Sequence, residues 1–77
     1  MKTYIGIAGS KIQSDGWLGC LYWSRSQVNN GAEVVKIHVA RPGVKTMRVV
    51  AEVTRDGVRL IRDGRQVPLR AIRGRYG

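Results

Sequence analysis

The chain has 77 residues, 43% of them hydrophobic, one cysteine and a formal net charge of +9. That length supports one domain (1–77) of marginal stability, because so small a chain buries only roughly 60% of its unfolded surface. The composition argues against a disordered tail, the lone Cys20 excludes an internal disulfide, and the longest apolar run, Trp17 to Trp23, is too short to cross a bilayer.

In chain order, residues 2–8 predict the first strand. The stretch before Gly9 is short and glycine-interrupted, unlike a secretory signal. A cytoplasmic location is therefore expected (host cytoplasm for a virus-encoded chain), with no membrane partner. Residues 17–25 read as a second strand, with Trp17, Gly19, Leu21 and Trp23 on one side and Leu18, Cys20 and Tyr22 on the other. The tryptophans are expected to anchor the core with Tyr4 as a neighbour. Cys20 is expected to be a small core residue, and Tyr22 a stacking or docking residue. Asn29-Asn30-Gly31 predicts a hairpin turn into a third strand over 33–41. There Val35, Ile37 and Val39 alternate with Lys36, His38 and Ala40, which places His38 on the solvent face. A helix across Ser26–His38 is the alternative, against which Gly31 and the β-branched run argue.

The C-terminal half predicts a three-stranded meander over about 47–54, 58–62 and 65–72. Asp56-Gly57 and Asp63-Gly64 serve as its two-residue turns. In this register Val53 faces Leu60, and Arg62 faces Arg65 across the second turn. Val49, Ala51, Val53, Val58, Leu60, Val67 and Leu69 share one face. Arg48, Glu52, Thr54, Arg59, Gln66 and Arg70 share the other, with Val50 and Ile61 as apolar exceptions. Pro68 fits an edge strand. The whole is expected to be all-β: a small antiparallel barrel or sandwich of about five to six short strands, with a tail at 73–77 that frays.

Residues suited to catalysis are scarce. One histidine and five scattered acids supply neither a metal site nor a nucleophile beside a base. Asp56 and Asp63 are explained as turn residues, and Gly6-x-x-Gly9 lacks the later glycine and lysine of a phosphate loop. No enzyme activity, metal or cofactor is expected.

The arginines are what folding leaves unexplained. Residues 41–77 hold ten Lys and Arg against three acids. Guanidinium is permanently charged and grips phosphate or carboxylate with paired hydrogen bonds. The expected function is a small basic module that binds DNA or RNA through phosphates, using Arg48, Arg59, Arg62, Arg65, Arg70, Arg73 and Arg75, with Tyr76 or Tyr22 available to stack. The rival is an inhibitor or adaptor, of phage or mobile-element type, docking on an acidic protein surface with Tyr22 or Ile61 as anchors. A structural subunit lying against packaged or ribosomal nucleic acid comes third. Open strand edges make a homodimer a further expectation.

Overall fold

In a computed structural model of the chain, residues 2–69 are described. A two-residue turn at Gly9-Ser10 folds β1 (Thr3–Ala8) onto β2 (Lys11–Asp15), with Ala8 opposite Lys11. Helix α1 (Trp17–Asn29) follows at once. The chain then returns as β3 (Val35–Ala40), β4 (Thr46–Thr54), β5 (Gly57–Leu60) and β6 (Gln66–Pro68). The six strands form one antiparallel sheet in the order β2-β1-β3-β4-β5, and β6 also pairs with β4. The all-β expectation holds, with six short strands and a single helix. The sheet is an open ribbon carrying that helix on one face, and no pairing between β2 and β5 closes it among the described residues.

The helix replaces the strand expected over 17–25 and lies ahead of the alternative helix at 26–38. Its buried row is Cys20, Ser24 and Val28, at helical spacing and small. Small side chains let the helix lie close to β1, where Gly6 is the point of nearest approach. A Cβ on Gly6 would fall 2.9 Å from the Trp23 ring. Ser24 satisfies its buried hydroxyl by donating to the Cys20 carbonyl at 2.6 Å. Asn29-Asn30-Gly31 ends the helix instead of turning a hairpin. Gly31 has φ +111° and donates to the Val28 carbonyl at 3.1 Å, and Ala32 donates to the Gln27 carbonyl at 2.9 Å. This pair of bonds is a Schellman cap, which favours glycine at its left-handed position.

The core lies between α1 and the sheet. Val35, Ile37, Ala51 and Val53 are buried there with Ala8, Cys20 and Val28, and Trp17, Leu21, Trp23 and Val50 pack against them. Trp17 and Trp23 thus reach the core as expected, but from a helix.

The C-terminal meander needs two corrections. The first turn falls at Arg55-Asp56, so Val53 pairs with Val58 and not with Leu60. This shift of two residues preserves which side chains share a face, because strand side chains alternate with a period of two. The second turn is absent. β5 and β6 do not pair with each other; both pair along the same edge of β4, Ala51–Thr54 with β5 and Thr46–Arg48 with β6. Residues 61–65 bulge between them, tied to β4 by Ile61 N–H to the Val50 carbonyl (2.8 Å) and Val49 N–H to the Arg65 carbonyl (3.3 Å). Edge strand Pro68 is placed as expected.

A break in β4 fixes where charge goes. Ile37 pairs with Ala51 and His38 with Val49, which leaves Val50 as an extra residue. Such a bulge reverses the facing of everything on one side of it. Val50 turns towards the helix and packs on the core. Arg48, opposite Val39, which is itself opposite Tyr4, also lies on the helix side. Met47 and Val49 move to the far side, the reverse of the predicted grouping.

Candidate functional site

Helix α1 packs over β1, β2, β3 and β4. Its first residue, Trp17, packs edge-on against Tyr4, with ring centroids 5.3 Å apart and planes at 64°. Its last turn places Val28 beside Val53 and Thr54. The corner of the sheet over the first half of β4 and the end of β5 is left without helix above it.

At that corner lies a groove of about 340 Å³. Tyr4, Trp17, Val39, Val50 and Leu60 are its apolar lining, and Lys2, Arg41 and Arg48 its cationic lining; no acid lines it among the described residues. Leu60 is 71% exposed and, with Val50 beside it, contributes to an apolar patch at the groove. A second hollow of about 200 Å³ shares Val39, Arg41 and Arg48 and continues over Val44, Thr46 and Gln66. Arg41 opens the turn Arg41-Pro42-Gly43-Val44, closed by Val44 N–H to the Arg41 carbonyl at 3.2 Å. Thr46 holds Gln66 in place by donating to its Oε1 at 2.8 Å. The bulge at Val50 brings Arg48 to this side, and the turn brings Arg41.

The predicted arginines among the described residues are not gathered together. Arg48 lies in the groove. Arg59 lies on the opposite face of the sheet, opposite Glu52, and forms an ion pair with it. That is the only salt bridge among the described residues, and an exposed pair of this kind is worth about 0–1 kcal/mol. Arg62 and Arg65 are exposed in the 61–65 bulge and do not face each other across a hairpin. The shared outer face of Arg48 and Arg59 is therefore absent. Arg70, Arg73, Arg75 and Tyr76 lie outside the described residues. Tyr22 is exposed on the outer side of α1, 69% accessible, and belongs to neither the groove nor the bulge. Lys2 and Arg41 were not singled out by the sequence. The only signal for them was general charge, since their convergence depends on the sheet order.

Two further side chains are buried without joining the groove. Cys20 is fully buried, as expected, and donates its thiol to the Tyr4 carbonyl at 3.1 Å. Burial pushes its pKa up, which keeps it a thiol and not a nucleophile. His38 departs from the expected solvent position. It lies on the face away from the helix but is only 4% exposed, with Nδ1 3.3 Å from the Ile5 carbonyl. A carbonyl oxygen only accepts, so Nδ1 carries the proton. Burial, opposed by that hydrogen bond, lowers the His38 pKa. Among the described residues no group of three His, Cys, Asp or Glu could hold a metal, and no helix is long and apolar enough to cross a membrane.

Set against protein-family models, curated proteins and solved structures, the chain has no match.

Proposed function

We propose that the protein binds nucleic acid through its phosphates, with Arg41, Arg48 and Lys2 as the first contacts and Arg62 and Arg65 extending the basic surface. The observation that carries this reading is the convergence of three cations on one groove that no acid lines among the described residues. Of the described Lys and Arg side chains, only Arg59 has an acid partner. Cations left uncompensated near one another repel, and a polyanion relieves that repulsion while releasing its own counterions. Phosphate contacts of this kind position a backbone and carry no sequence information.

The test is a salt series. Affinity for a duplex or single-stranded probe falls steeply as salt rises. The Arg41→Ala/Arg48→Ala variant makes the slope of log K against log salt shallower by about two on duplex DNA. Binding that ignores salt overturns the reading.

One observation favours the adaptor reading. Leu18 and Tyr22 lie one turn apart on the outer side of α1, 62% and 69% exposed, and Arg25 is exposed on the next turn. Aromatic, aliphatic and arginine groups in one patch suit protein docking. Co-purification from the native host with and without nuclease separates the two: a protein partner survives nuclease.

A further inference from the structure

We propose that the corner groove holds one unstacked nucleotide of a single-stranded nucleic acid, its base against Trp17 and Leu60 and its phosphate on Arg41 and Arg48. This rests on the nucleic-acid reading above and adds which form of nucleic acid is preferred and which atoms choose it.

The groove joins two properties that a phosphate backbone alone does not require. Its lining is cationic on Lys2, Arg41 and Arg48 and apolar elsewhere, with an aromatic wall of Tyr4 and Trp17. A duplex keeps its bases stacked inside and presents phosphates, so the cationic lining alone serves it. A single strand also offers the flat faces of its bases, which stack on aromatic side chains irrespective of sequence. Leu60, exposed beside Val50 and opposite the aromatic wall, gains from being covered by such a face.

The wall is also held in place. Tyr4 on β1 and Trp17 at the first turn of α1 brace each other, and both pack on the buried cluster beneath. A platform already ordered loses little conformational entropy when a base settles on it. A basic hollow at the far end of the helix makes the contrast. Arg25 and Arg55 line it with Val28, Val53 and Val58, and no ring lines it among the described residues. It carries charge for a backbone and nothing for a base.

The volume of about 340 Å³ falls within the range of small-ligand sites, the scale of one nucleotide unit. An apolar peptide would satisfy Leu60 and leave the three cations unanswered; an acidic peptide would do the reverse. A partner that is flat, apolar and anionic within one small unit satisfies both.

Anisotropy titrations test this with a labelled oligothymidylate of about ten nucleotides, matched to the usual site size of single-strand binders, and a duplex of the same length. The wild type binds the single strand more tightly and its tryptophan emission is quenched. Leu60→Ser, which touches an exposed side chain and leaves the thermal midpoint unchanged, removes apolar surface that a base would cover and weakens single-strand binding by roughly tenfold, duplex binding by less than about twofold. Equal affinity for the two probes overturns the groove assignment and leaves the phosphate reading standing. So does a Leu60→Ser effect that is the same on both. If neither probe binds at low salt, both readings fall and the adaptor reading takes their place.

Discussion

The two halves of β4 contribute opposite things to the same side of the sheet. Beyond the bulge, Ala51 and Val53 are buried beneath the helix and belong to the core. Before it, Arg48 lies on that same side, in an uncovered groove with Val39 and Trp17. A single extra residue, Val50, divides them. With period-two alternation unbroken, Arg48 would share a face with Glu52 and Arg59, and a polar outer surface would face a continuous apolar inner one. The bulge gives up that separation and places a guanidinium beside an apolar hollow. A dry half and a wet half of one strand thus come from local register and not from any change in composition.

The comparison is broken most severely by truncating the dry half. Ile37 is fully buried opposite Ala51. Ile37→Ala should cost about 2–5 kcal/mol, the usual loss for a buried aliphatic side chain, which is most of the stability of so small a domain. Leu60→Ala at the wet corner should change stability by less than about 0.5 kcal/mol. Urea midpoints of the two variants measure the contrast. Comparable losses would mean that the corner is covered and the groove does not exist as described.

A smaller effect probes what holds the helix over the dry half. Gly31→Ala places a Cβ at φ +111° in the Schellman cap, at an expected cost of about 1–2 kcal/mol. Helical circular dichroism and the urea midpoint report it. A midpoint equal to wild type would show that the cap contributes nothing to seating α1.

Legibility followed the same physical lines. The strands over 2–8, 33–41 and 47–54 were readable because β-branched residues alternate there and bury one face. The helix was not. Its inner row, Cys20, Ser24 and Val28, is small and partly polar, while Leu18 and Tyr22 on its outer side are apolar. No apolar stripe therefore stands out at helical spacing, and close packing on Gly6 supplies what hydrophobic contrast usually does. Asn30-Gly31 was ambiguous by nature, since the backbone that favours Asn-Gly in a hairpin also ends a helix. The candidate site was half legible. Arg48 stands out in the sequence by its charge, yet its placement depends on a bulge that leaves no local mark. Lys2 and Arg41 reach it only through the pairing of β1 with β3.

The smallest expected effect concerns the far face of the sheet, where His38 is buried opposite Ile5 and Val49. Burial, seconded by the nearby charge of Lys36, lowers its pKa below the ordinary 6.5; hydrogen bonding to the Ile5 carbonyl and to the Lys36 backbone opposes the shift without reversing it. The folded chain therefore binds this proton less readily than the unfolded chain. Stability is fully present above pH 6.5, and it falls as pH drops from there through the folded-state value. One titrating group sets a ceiling of about 1.4 kcal/mol per pH unit on that slope. Urea midpoints between about pH 7.5 and 5.5, a window bracketing the ordinary histidine value, should decline on the acid side for the wild type. His38→Asn keeps a side-chain donor but loses the titration, and its midpoint should stay flat across the same window. A wild-type profile as flat as the variant's would mean that His38 reaches water and that this face of the sheet is open, like the groove corner on the other side.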